Sequence, residues 1–278
     1  MNLVGLGAAG CSVVKSFSAY PQYNRYYVDS EIMSDKNFIY VKPQKTHEDY
    51  EAEYENTDLT HIEGKTTIVL AGSGKITGML LRFLEDLKHC ETTVLYIKPD
   101  MTTSDEDSKK REKVVFGVLQ QYVRSGLLNN IFIASNSLIE NVLESVSITD
   151  YWRDINSVIS STYHMLNVFS NTEPLLSTLS DDKETVRIST MGVVAFKNLD
   201  EKMFYSLQQP RSKKYYFGIS QSTLNEEKDL LSRIRTYVKE NSEEKCTACF
   251  AIYSTNYEQD YVYVSQHATL IQEQDIDF

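Results

Sequence analysis

Cysteine is scarce in this chain, with four residues among 278. That is too few for a disulfide scaffold at this length, and it sets the expectation of a reducing, cytoplasmic environment. Long hydrophobic runs are missing as well. No stretch approaches the roughly 20 apolar residues of a membrane span. The opening MNLVGLGAAG carries neither the basic region nor the small-residue cleavage site of a signal peptide. Positive charge is in deficit, with 28 basic residues against 39 acidic and a formal net charge of −11. This disfavours direct, non-specific binding to nucleic acid or to anionic lipid, so neither is an expected partner. Internal repeats and low-complexity linkers are also lacking. What remains is ordinary: 41% hydrophobic and 24% charged residues exclude disorder, collagen and coiled coil. The length suits one large or two moderate domains.

Strand and helix patterns alternate through the first half. Asn2 to Leu6 is a short apolar run that enters a glycine turn at Gly5, Gly7 and Gly10, followed by a helix through Val13, Val14 and Phe17. Arg25 to Val28 and Asn37 to Val41 read as strands, and the acidic, tyrosine-rich Thr46 to Asn56 as a short surface helix. The β-branched Thr66 to Ala71 ends in a second glycine turn, Gly72-Ser-Gly-Lys-Ile-Thr-Gly78, before a helical stripe of Leu80, Phe83, Leu84 and Leu87. Thr92 to Ile97 is a strand stopped by Pro99. Ser104, with Asp107 three residues on, reads as the cap of the next helix, and Asn130 to Ala134 as one more strand. Repeated βα units predict a Rossmann-like, mostly parallel sheet with helices on both faces over residues 1–146.

A helix-spaced series, Ile148, Trp152, Ile155, Ile159, Tyr163, Leu166 and Phe169, then runs without Gly or Pro and predicts a long connecting helix over 147–171. Strands at Gly192 to Phe196, Tyr215 to Ile219, Thr247 to Tyr253 and Tyr261 to Leu270 follow. With a helix through Leu230, Leu231, Ile234 and Val238, they predict a smaller α+β domain over 172–278.

The glycine turns carry the chemistry. A glycine turn between strand and helix points backbone N–H groups at a ligand from the positive end of a helix dipole, which suits phosphate. Gly5-Leu-Gly-Ala-Ala-Gly10 matches GxGxxG, with Asp29 about 20 residues on, the dinucleotide fingerprint in which the acid holds a ribose hydroxyl. An NAD-dependent oxidoreductase is therefore one reading, and a tight turn without ligand another. The loop Gly72, Ser73, Gly74, Lys75, Ile76, Thr77, Gly78 is not a Walker A loop, because Ile76 follows Lys75 and Val69 stands where the first glycine belongs. Two such loops around one ligand suggest a nucleoside di- or triphosphate held from both sides.

Taken in order, these segments resemble the tubulin/FtsZ superfamily. Gly5 to Ser12, with Gly7, Ala8, Ala9, Gly10 and Cys11, is similar to its first phosphate loop, and AGSGKITG to its GGGTGTG signature, altered at Ser73, Lys75 and Ile76. Ile97-Lys98-Pro99 followed by Asp107-Ser-Lys-Lys-Arg111 resembles the FtsZ stretch whose acid and arginine hold the ribose side. Ile133-Ala-Ser-Asn136 stands where the family has I-P-N-D. The segment 147–158, SITDYWRDINSV, lies without a gap over S-L-L-D-A-F-x-x-A-N-D-V. The resemblance implies GTP or GDP with Mg2+. It places Trp152 on the guanine face and Asn156 at its edge, where an amide serves both donor and acceptor groups, while Ser157 replaces the family aspartate. The alternative for Trp152 is a core position.

The resemblance also implies head-to-tail self-assembly, with an adaptor as a further candidate partner. Compact members of this kind occur on phages and plasmids. Hydrolysis in the superfamily is completed by acids from a neighbouring subunit. Thr178-Leu-Ser-Asp181-Asp182-Lys183-Glu184 offers Asp181 and Glu184 at the D-x-x-E spacing if one residue is inserted, beside Asp182. Without the insertion Ser180 and Lys183 fall on the acid positions and the loop is inactive. A nucleotide-bound relative without hydrolysis therefore stays open. Cys246-Thr-Ala-Cys249 lies in a strand pattern, where residues three apart point to opposite faces, so no metal clamp is expected there. His89-Cys90 reads as a helix end rather than a catalytic pair.

Overall fold

The two halves fold differently because their strand patterns differ. The computed structural model describes residues 1–55, 57, 59–143, 147–180 and 185–272, and the chain divides into the units Met1–Ser160 and Ser161–Gln272.

In the first unit the apolar run makes β1 (Asn2–Leu6), buried at every position, as a strand covered on both faces must be. α1 (Gly7–Ser16) follows directly, then β2 (Asn24–Asp29), β3 (Phe38–Tyr40) and α2 (His47–Ala52). α2 is started by a capping box in which Thr46 and Asp49 satisfy each other's backbone N–H. β4 (Lys65–Ala71), α3 (Leu80–Asp86), β5 (Glu91–Lys98) and α4 (Glu106–Ser125) come next. Asp105 caps α4 through the Ser108 N–H, and Gly126 ends it at φ 84°, a left-handed stop. β6 (Asn130–Ser135), α5 (Asn136–Glu140) and α6 (Tyr151–Ser170) complete the series, the unit division falling within α6. The strands of this unit are all parallel, in the order β3-β2-β1-β4-β5-β6.

The second unit contains β7 (Leu176–Ser177), β8 (Ile188–Val194), β9 (Glu201–Met203), β10 (Ser212–Ser220), α7 (Gln221–Glu226), α8 (Leu230–Glu240), β11 (Thr247–Thr255) and β12 (Tyr261–Ala268). Its order is β8-β12-β10-β11-β7, with β9 on β8. β10 and β11 pair in parallel, whereas β12 is antiparallel to both its neighbours. Leu230, Ile234, Tyr237 and Val238 of α8 pack on Tyr215, Phe217, Phe250, Ile252, Val262 and Val264. Burial of a side chain such as Phe217 contributes roughly 1.5–3 kcal/mol. Phe169, near the end of α6, stacks on Tyr216 with centroids 5.4 Å apart.

Several expectations change. Asp105, not Ser104, caps α4. The long helix begins at Tyr151, so Ile148 precedes it and is 96% exposed. The strand expected at Gly192 to Phe196 lies earlier, at Ile188–Val194. His89 and Cys90, expected at a helix end, lie just beyond α3, and both side chains meet the Ile62 carbonyl, at 2.8 and 3.1 Å. Cys246 and Cys249 are buried free thiols, and among the described residues no three His, Cys, Asp or Glu side chains gather as a metal site. No described helix is long and apolar enough to cross a membrane.

Candidate nucleotide site

Parallel strands end on one edge, so both glycine loops leave the first unit's sheet side by side. β1 and β4 are neighbours, with Leu6 in register with Leu70. From β1 the chain moves outward to β2 and β3, then returns to β4 on the other side. The strand order thus reverses between the two glycine loops, the place where open α/β sheets bind ligands.

Each loop is shaped by contacts that exclude a side chain. Gly7 opens α1 at φ 72°, where glycine is at ease, and a Cβ there would lie 2.8 Å from Ile76 of the second loop. On Gly10 a Cβ would meet the Val69 carbonyl oxygen at 2.1 Å, so glycine lets α1 pack onto β4. On Gly72 it would meet the Tyr96 hydroxyl at 2.2 Å, and on Gly78 the His47 carbonyl at 1.8 Å. Gly74 differs: it is exposed, and a Cβ there would meet only Ile76, in an ordinary contact at 3.9 Å. Thr77 turns inward and donates to the Gly74 carbonyl at 2.7 Å, so its hydroxyl holds the loop.

Both loops present uncapped backbone donors. α1 has no side-chain cap and no acid in its first turn, and Ala8, Ala9 and Ser12 are exposed there. The 3-10 turn Lys75–Met79 also lacks a side-chain cap and an acid in its first turn. Lys75 is exposed and makes no ion pair with a described residue. Unsatisfied N–H groups, a helix dipole and a free cation on one edge favour an anion.

The remaining expected residues divide into loop supports and open groups. Cys11 faces inward and donates to the Gly5 and Val28 carbonyls; burial, aided by the Asp29 charge, pushes its thiol up to about 12. Asp29 is buried at the end of β2 and accepts from the Ser30 N–H at 2.7 Å. Arg111 reaches across to the second loop, its Nε donating to the Ser73 carbonyl at 3.0 Å and its Nη2 to Ser108 Oγ at 2.7 Å. Asp107 lies exposed in the first turn of α4.

Asn156 is buried on α6 and donates to Ser12 Oγ at 2.9 Å, which brings α6 onto the first loop. Trp152, one turn earlier, is 61% exposed, which excludes the core position. Asn136 opens α5 directly after β6 and is buried, and its Oδ1 has no hydrogen-bond partner among the described residues, an acceptor left for a ligand or water. Asp181, Asp182 and Glu184 lie outside the described residues. Sequence reading missed Tyr96 and Glu112, whose signal was only a tyrosine in a strand and an acid beside Arg111.

Protein-family models return no match for the chain, nor do the curated proteins. Solved structures do. A GTPγS-form protofilament of TubZ from Bacillus thuringiensis serovar israelensis matches with a TM-score of 0.69 at 15% identity, over 96% of this chain and 86% of that one. CetZ from Methanosaeta thermophila matches at 0.66 and 12% identity, over 97% and 86%. An empty FtsZ dimer from M. jannaschii matches at 0.65 and 10% identity, over 96% and 87%. The chain shares the fold of these TubZ, CetZ and FtsZ structures.

Proposed function

We propose that this tubulin/FtsZ-type chain binds guanine nucleotide and assembles head to tail into filaments, with hydrolysis completed between subunits. The observation that carries the reading is the pair of uncapped glycine loops on adjacent strands, with Gly74 exposed and Trp152 exposed one turn from Asn156. Structures of TubZ in GTPγS and GDP protofilaments and in two- and four-stranded filaments support the choice of ligand and the assembly. The strand order would also suit NAD, but one dinucleotide loop leaves the second glycine loop and the Trp152–Asn156 pair without a role.

When bound, GTP supplies the phosphoanhydride to be cleaved and Mg2+ the charge that neutralises its phosphate oxygens. The residues present fit the nucleotide. The N–H groups of Gly7, Ala8, Ala9 and Gly10 would hold one side of the phosphates. Those of Gly72, Ser73, Gly74 and Lys75 would hold the other, and the Lys75 ammonium adds a charge-assisted contact. Asn136 Oδ1 and Asp107 would face the sugar side, and Trp152 and Asn156 the base. Residues 1–146 form the nucleotide-binding domain, 147–171 connect and add the base contacts of Trp152 and Asn156, and 172–278 bring the acids Asp181 and Glu184, with Asp182 beside them, to a neighbour's nucleotide to orient water. A head-to-tail contact repeats without closing, so every added subunit can complete one more site.

Isothermal titration with GTP, ATP and NAD tests the ligand: GTP should bind, and binding of NAD alone would overturn the reading. Phosphate release should rise steeply with protein concentration in parallel with light scattering. Asp181→Ala or Glu184→Ala should leave GTP binding intact and suppress turnover. Wild-type turnover in both variants would remove the assigned acids.

A further inference from the structure

Beneath the second glycine loop lies a buried polar group that the nucleotide reading does not use. Tyr96, fully buried on β5, lifts its hydroxyl under Gly72, so close that a Cβ on Gly72 would stand 2.2 Å from it. That hydroxyl donates to Glu112 Oε1 at 2.9 Å. Glu112 is buried on α4, with Lys98 Nζ 3.6 Å from the same oxygen, and Lys98 sits 4.9 Å over the Phe116 ring. The preceding residue, Arg111, donates to the Ser73 carbonyl. Two consecutive residues of α4 thus act on two consecutive residues of the loop, one through a carbonyl and one through a tyrosine placed underneath.

We propose that Glu112, acting through Tyr96, is a positioning residue that sets the height of the Gly72–Gly74 turn and so aims its N–H groups at phosphate. The inference rests on reading that edge as a phosphate site. A buried carboxylate is costly unless its oxygens are occupied, and here Tyr96 and Lys98 share one of them. A tyrosine ring is rigid and its hydroxyl, once held, cannot drop away from Gly72. A loop that must offer donors at fixed positions gains affinity from such a prop because less ordering remains for the moment of binding.

The test pairs GTP titration with hydrogen exchange of the nucleotide-free protein. Tyr96→Phe removes the hydroxyl and should lower GTP affinity by about 5-fold or more, with faster exchange at the amides of 72–77. Glu112→Ala removes the acceptor of the Tyr96 hydroxyl and should lower GTP affinity and speed exchange at 72–77 as Tyr96→Phe does, whereas Glu112→Gln, which keeps an oxygen able to accept from Tyr96, should recover most of both; wild-type affinity and exchange in Glu112→Ala would overturn the proposal. Gly72→Ala should bind poorly, and adding Tyr96→Phe should restore part of the loss. The nearest ring atoms then lie 3.1 and 3.3 Å from the new methyl. A lower melting temperature with unchanged affinity and unchanged exchange in Tyr96→Phe would mark a purely structural pair and overturn the proposal. So would a double variant no better than Gly72→Ala. If the wild type fails to bind GTP, the nucleotide reading falls, while exchange at 72–77 still judges the prop by itself.

Discussion

Replacing Trp152 by alanine separates binding from folding. The indole is 61% exposed in the first turn of α6, so its removal leaves no cavity, and stability should change by no more than about 0.5 kcal/mol. Stacking of a base on an aromatic ring is worth about 1–3 kcal/mol, which corresponds to roughly 5- to 150-fold in affinity. The prediction is therefore a GTP Kd raised within that range, at an unchanged melting temperature for the nucleotide-free protein. Trp152→Phe should recover part of the loss because it keeps a flat face. The assay has an internal reporter, since Trp152 is the only tryptophan in the chain and its fluorescence should respond when guanine covers it. Titration calorimetry supplies the affinities of the variants that lack it. An unchanged Kd in folded Trp152→Ala, or a wild-type fluorescence that ignores GTP, would refute the stacking role.

Other substitutions probe the loops. Gly10→Ala places a methyl 2.1 Å from the Val69 carbonyl, a backbone atom that cannot swing aside, so stability should fall by about 1–3 kcal/mol in denaturant unfolding. Wild-type stability there would show that α1 moves freely from β4. Lys75→Thr should weaken GTP binding by removing a charge-assisted contact, and tighter binding would identify the lysine as an obstruction. Cys11, raised from 9.0 to about 12 by burial, stays protonated in the folded chain at pH values where the unfolded thiol ionises. Its contribution to stability is complete below about pH 9 and is lost as pH rises toward about 12. Cys11→Ala should flatten the alkaline loss of stability, and rapid alkylation of native Cys11 at pH 8 would contradict the assignment.

Much of this protein follows from sequence alone, because its signals are local. The apolar run of β1, the β-branched run of β4 and the Leu230–Ile234–Val238 stripe of α8 each reveal their element by side-chain period. Both glycine turns betray themselves by composition, and they mark the site. β7, β9, α5 and α7 are short and carry neither an apolar run nor a marked turn beside them, so they become visible only with their partners. Periodicity tells which residues share a helix face but not how far along the helix that face stays covered. Ile155 and Ile159 are buried, whereas Trp152, on the same stripe, opens to solvent. The roles of Arg111 and Tyr96 depend on strand order. Arg111 meets Ser73 across 38 residues, and Tyr96 comes to lie under Gly72 because β4 and β5 pair in parallel, with Leu70 in register with Tyr96. Local chemistry specifies a strand, a turn or a helix, but contacts between residues far apart in the chain exist only once the sheet order has been chosen, and tertiary packing makes that choice.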